Sequence, residues 1–253
     1  QTITFAGRGS QTIRSEGKTF TQSIIINSPG GSVALQDALI ISRSIVSAFT
    51  LTRGTFDAAI YNVTLSGAGA GAFVSGAAVK QLNIGSGVWT IAGTGNAWNA
   101  SISTNFTVTG TGTISLTSAS SKSFIGGDIQ TYPTLNQGGT GTLTISGSNK
   151  FSDITNTAIG AVKFFSGTTN EFTAFNLNGA AGNLLTLGSA TASQATLKKP
   201  SIWFMGANST DDGNNTGLTF TAGGGIDYLS VNYINGVSTA VYNGNSNFMV
   251  FFS

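Results

Sequence analysis

Along much of the chain, two apolar residues flank one small polar residue, and a Gly, Asn or Ser follows. Val63-Thr64-Leu65-Ser66, Leu82-Asn83-Ile84-Gly85 and Phe106-Thr107-Val108-Thr109-Gly110 carry the phrase. Ile114-Ser115-Leu116, Leu143-Thr144-Ile145-Ser146-Gly147, Phe175-Asn176-Leu177-Asn178-Gly179 and Leu185-Thr186-Leu187-Gly188 repeat it. Alternation with period two predicts strands with one buried face. A turn signal so soon after each strand predicts many short strands and frequent corners. Recurrence at intervals of roughly 20 residues predicts coils stacked into a solenoid. The fold class expected is therefore all-β: a single-stranded parallel β-helix (β-solenoid), taken as right-handed.

The pattern is least regular at the start. Ile3-Thr4-Phe5, Thr12-Ile13-Arg14 and Phe20 to Ile26 read as strands, and Ser28-Pro29-Gly30-Gly31 reads as a turn. Val33 to Ile41 fits either a helix face or strands, and the rhythm of the following segments favours strands. Residues 1–45 are expected to lead into the solenoid as an N-terminal cap region, and residues 46–199 to form its body. After Lys198-Lys199-Pro200 the pattern changes, and residues 200–253 are expected to form an atypical C-terminal cap or subunit-docking region. The final run, Asn247 to Ser253, is apolar on both faces and is expected to pack inside the chain or against a neighbour. Trp89 alternates with Ile91 and reads as core, whereas Trp98 follows Gly93-Thr94-Gly95-Asn96-Ala97 and reads as a loop residue.

Composition sharpens this picture. Only 8% of the 253 residues are charged, against roughly 25% in an average domain. The place of charge is taken by Ser, Thr, Asn and 35 Gly. In stacked coils each outward residue has another directly above it, where like charges repel and hydroxyl or amide groups hydrogen-bond. Net charge is +2, and the only adjacent basic pair is Lys198-Lys199. No basic cluster supports nucleic-acid binding. There is no Cys and no His, which removes disulfides, the usual zinc sites and the Ser-His-Asp and Cys-His catalytic sets. No apolar run reaches the ~18 residues of a membrane span. No signal-peptide pattern is read, and a start at Gln1 implies that something upstream was removed or not included.

Several phrases resemble a known repeat. Tyr132-Pro133-Thr134-Leu135-Asn136-Gln137-Gly138-Gly139 and Gly141 to Phe151 are similar to a β-solenoid repeat of phage and bacterial surface proteins. Asp153 to Thr157, Phe175 to Leu184, Thr52 to Asp57 and Gly206 to Gly217 fit it as well. The resemblance covers roughly residues 20–220 and departs from the repeat over 218–253. It implies a solenoid at a virion or cell surface and brings no catalytic residues with it.

Candidate chemistry is sparse. Glycoside hydrolysis needs two carboxyls about 5–9.5 Å apart. Among nine carboxylates, Asp153 and Glu171 lie about one coil apart and are the pair to examine. The competing reading has Asp153 shaping a turn and Glu171 pairing with Lys150 or Lys163. Asp211 and Asp212, in the oxygen-rich stretch Asn208 to Asn215, are the candidate metal ligands, although their spacing matches no calcium motif. Trp98 is the candidate ligand-binding residue, as a loop aromatic able to stack on a sugar ring. Thr107-Val108-Thr109 and Thr111-Gly112-Thr113 suggest an ice-binding face only if their threonines share one flat register.

The function expected is structural and adhesive, without enzymatic activity or cofactor. The chain would be a bacteriophage virion component (tail fibre, spike or capsid appendage) at the virion surface or otherwise extracellular. Its expected partners are further copies of itself, other virion or surface proteins and a host surface glycan. A bacterial adhesin or extracellular filament subunit is the alternative, and a polysaccharide-cleaving spike stands third.

Overall fold

The computed structural model describes residues 1–198 apart from 44–46, 68–70, 128–130 and 192–195. Beyond these it describes the backbone of Trp203–Phe204, Ser209–Asp211, Leu218–Thr219, Tyr228–Ile234 and Val237–Asn243. Strands and irregular corners make up the described residues, and none of them is helical. The strands stack in register as a parallel β-solenoid.

Two faces run the length of the stack. Face 1 joins Thr2–Phe5 to Ser23–Leu35, Phe49–Asp57, Phe73–Ser75, Gly95–Asn99, Lys122–Ile125, Leu143–Ser146, Ala161–Phe164, Leu185–Ser189 and Ser209–Asp211. Face 3 is a nine-stranded sheet from Thr19–Phe20 to Thr196–Lys198, and each pass around the axis adds one strand to it. Between them lies face 2, present only in the first five coils. It joins Ser10–Ile13, the second halves of Ser23–Leu35 and Phe49–Asp57, then Lys80–Asn83 and Phe106–Thr109. Phe106–Thr109 pairs on one side only, so face 2 stops there.

Coil length follows the number of faces. In the three-sided part Phe49 stacks on Phe73 and Phe73 on Trp98, spacings of 24 and 25 residues by their numbers. In the two-sided part Phe124 stacks on Ile145 and Ile145 on Phe164, spacings of 21 and 19.

Inward residues repeat at every coil and build the core. On face 1 the column runs Ile24, Phe49, Phe73, Trp98, Phe124, Ile145 and Phe164, all at most 1% exposed. Its rings stack: Phe73 on Trp98 with centroids 3.9 Å apart, and Trp98 on Phe124 at 5.6 Å. Trp89, from face 3, meets Phe49, Phe56, Phe73 and Trp98 edge-on. Such ring pairs add about 0.5–1.5 kcal/mol each beyond area burial.

One predicted turn is continuous strand. Ser28-Pro29-Gly30-Gly31 lies inside Ser23–Leu35, where the register shifts after Ile26 and again before Ser32. The chain bends from face 1 to face 2 there without leaving the ladder. Gly30 adopts φ 69° at this bend and Gly54, at the next coil's bend, φ 86°. A Cβ at Gly54 would stand 2.1 Å from the Ser28 carbonyl oxygen, so glycine is required by backbone angle and by space.

The parallel ladder of face 1 continues past residue 199 through Ser209–Asp211, in register with Leu185–Leu187. Tyr228–Ile234 and Val237–Asn243 pair antiparallel, unlike every other strand pairing described. The apolar run Asn247 to Ser253 lies outside the described residues.

Candidate functional site

The outward side chains form columns because the register holds from coil to coil. On face 3, Thr64, Thr90, Ser115, Asn136 and Thr155 stand one above another. Asn136 Nδ2 donates to Ser115 Oγ at 2.8 Å, and Thr155 Oγ1 donates to Asn136 Oδ1 at 3.2 Å. Nearer the start of those strands, Thr131, Lys150 and Glu171 stack, and Lys150 Nζ lies 2.9 Å from Glu171 Oε2. Charges that do stack alternate in sign, as repulsion between like neighbours requires.

Face 2 carries two outward columns. Ser10, Ser32, Thr55, Gln81 and Thr107 form one, and Thr12, Ala34, Asp57, Asn83 and Thr109 the other. Asn83 Nδ2 donates to Asp57 Oδ1 at 2.7 Å. At the corner between faces 1 and 2 a groove of about 490 Å³ crosses coils two to five. Gly30, Gly31 and Gly54 line its start, and Thr55, Gln81 and Thr107 one wall. Its single ionisable lining residue is Lys80, which is 2% exposed. The Lys80 ammonium turns to the carbonyl oxygens of Thr104 (3.1 Å) and Ala78 (3.4 Å) and lies 5.0 Å from the Phe106 ring centre. Burial holds its pKa below the usual lysine value.

A second buried ammonium sits where three-sided coils give way to two-sided ones. Lys122 is 1% exposed, and its Nζ donates to the carbonyls of Ser118 (3.0 Å), Gly139 (3.2 Å) and Gly141 (2.8 Å). Gln137 Nε2 donates to the same Gly141 oxygen at 2.7 Å. Desolvation pushes the Lys122 pKa down to about 8. Neither lysine was flagged by the sequence pattern. Each opens a strand whose next apolar residue is two positions on, the one signal that its side chain points inward.

The residues singled out from sequence fall elsewhere. Trp98 is a correction: it lies in the strand Gly95–Asn99, fully buried between Phe73 and Phe124. The Gly-rich approach that read as a loop is the solenoid corner, and the strand begins within it. Trp98 is therefore unavailable to a ligand. Trp89 is core, as its alternation with Ile91 predicted. Asp153 and Glu171 do not face each other: Glu171 stacks on and pairs with Lys150, while Asp153 Oδ2 accepts from Asn176 Nδ2 at 2.8 Å. Asp211 ends the strand Ser209–Asp211 rather than sitting mid-loop. Asp212 lies outside the described residues, as do Asp128 and Asp227. Among the described residues no three His, Cys, Asp or Glu side chains gather as a metal site. The two threonine pairs lie on different faces, Thr107 and Thr109 on face 2 and Thr113 on face 3, so they form no common array.

Comparison of the chain with protein-family models, with curated proteins and with solved structures finds no match. The fold and its surface define the class directly: a parallel β-solenoid with a largely uncharged, hydroxyl- and amide-bearing exterior.

Proposed function

We propose that this chain is a non-enzymatic structural and adhesive protein, a rigid rod in a bacteriophage virion that serves as tail fibre, spike or capsid appendage. It acts at the virion surface, in association with further copies of itself and other virion proteins, and presents its side to a host glycan. The observation that carries the reading is the run of outward polar columns, hydrogen-bonded from coil to coil on face 3. A ladder locked both by backbone bonds and by stacked side chains resists bending and leaves no loose loop for proteases. The repeat-like phrases quoted from the sequence support the virion setting.

The test is the mass of the purified particle by light scattering, with electron microscopy of the same sample. A closed oligomer such as a trimer is expected. Open-ended filaments would move the assignment to an extracellular filament subunit of a bacterial surface, and a stable monomer would count against both.

A further inference from the structure

We propose that the groove between faces 1 and 2 is a binding site for a linear, uncharged or N-acetylated polysaccharide lying along the solenoid axis. The proposal deepens the adhesive reading and rests on it. The groove crosses four successive coils, which at ~4.8 Å per coil gives a track of about 14 Å. Its volume of about 490 Å³ falls within the range of ligand sites.

The lining chemistry selects the ligand class. Thr55, Gln81 and Thr107 belong to one register column, so hydroxyl and amide groups recur at every coil along the wall. A polymer with its own short repeat meets the same kind of group at each step. The opening coils are kept empty by glycine: a Cβ at Gly30 would stand in open space. Val79, 72% exposed, offers an apolar contact for the carbon face of a sugar.

Charge and backbone remove the competitors. Lys80 spends its ammonium on Thr104, Ala78 and the Phe106 ring, so the groove offers no cation to an acidic polymer. The strands Ser23–Leu35, Phe49–Asp57 and Lys80–Asn83 are hydrogen-bonded on both sides. An extended peptide therefore finds no open ladder in these coils to join.

The experiment is an array of neutral, N-acetylated and acidic linear oligosaccharides probed with the full chain, alongside binding of the labelled chain to whole bacterial cells. Thr55→Trp fills the groove from a half-exposed outward position. Gln81→Ala removes one wall amide from an exposed position and serves if the bulky variant misfolds. Thr144→Trp, on face 1 of the two-sided coils, is the control. Binding of a neutral or N-acetylated oligosaccharide is expected, weakened about tenfold or more by Thr55→Trp, by less in Gln81→Ala, and unchanged by Thr144→Trp. Binding restricted to acidic oligosaccharides would overturn the inference. Cell binding that survives both groove variants would also overturn it and leave the adhesive reading standing. Absence of binding by the intact chain to every oligosaccharide and every cell would instead overturn the adhesive reading itself.

Discussion

The three-sided coils and the two-sided coils solve the same problem differently. In the first five coils the interior is wide, and large rings fill it: Phe49, Phe56, Phe73, Trp89 and Trp98 are all fully buried. The buried polar residues there are serines and Lys80. From Leu116 onward face 2 is gone and the coils shorten, bringing corner backbone inward. The buried polar residues are now Lys122, Asn136, Gln137, Asn149 and Asn170 as well as serines. Most of them feed corner groups. Lys122 serves three carbonyls, Gln137 one, and Asn149 Nδ2 those of Ser146 (3.1 Å) and Gly147 (2.9 Å) while reaching Asn170 Oδ1 in the next coil (3.1 Å). A narrow solenoid turns its corner carbonyls toward the core, and a buried carbonyl without a donor is costly. The wide part is held by ring packing, and the narrow part by long donors inserted into corners.

The sharpest way to break the contrast is at the ring stack. Trp98→Ala removes the plate between Phe73 and Phe124 and should cost about 3–5 kcal/mol, read as a fall in denaturant midpoint. If the loss is below about 1 kcal/mol, the stack does not hold the wide part. At the step, Lys122→Met keeps the apolar stem and strips the donors from three carbonyls. A loss on the order of 3 kcal/mol is expected, with hydrogen exchange accelerating first around Ser118 and Gly139 to Gly141.

The same lysine gives a pH signature confined to the step. Its folded pKa of about 8 lies below the value of 10.5 for a free lysine. Between these pH values the unfolded chain holds more protons, so stability rises with pH across the window. Lys80 contributes with the same sign, its pKa also being lowered. The slope should therefore fall, without vanishing, in Lys122→Met; an unchanged slope would contradict the burial of this ammonium.

At the bend between faces 1 and 2, Gly54→Ala forces a side chain into φ 86° against the Ser28 carbonyl. A loss of about 1–2 kcal/mol is expected from the backbone angle alone, seen in thermal melts. The smallest effect belongs to the exposed charge column. Lys150→Ala breaks the pair with Glu171, both side chains about half exposed, and should change stability by less than about 1 kcal/mol. A larger loss would mean that surface columns hold the narrow part as firmly as its corners do.

Much of the fold was legible in the chain. The phrases around Val63, Phe106, Ile114, Leu143 and Leu185 each fall on a strand, because alternation with one buried face has no other stable outcome when it recurs at coil spacing. The ladder of hydroxyls and amides followed from the scarcity of charge. Trp98 was misplaced because Gly95 and Asn96, which open its strand, carry the residue types of a loop. Asp153 and Glu171 were misaligned because coil length is not constant, and one residue of slip changes which side chains stack.

The sequence by itself determined the repeating strand, its buried side and its neutral exterior, since those depend on residues close together in the chain. Tertiary structure alone decided where three faces become two, which side chains share a column and which corner carbonyls Lys122 and Lys80 reach. Those outcomes depend on register between coils 19 to 26 residues apart, a distance over which local alternation carries no information.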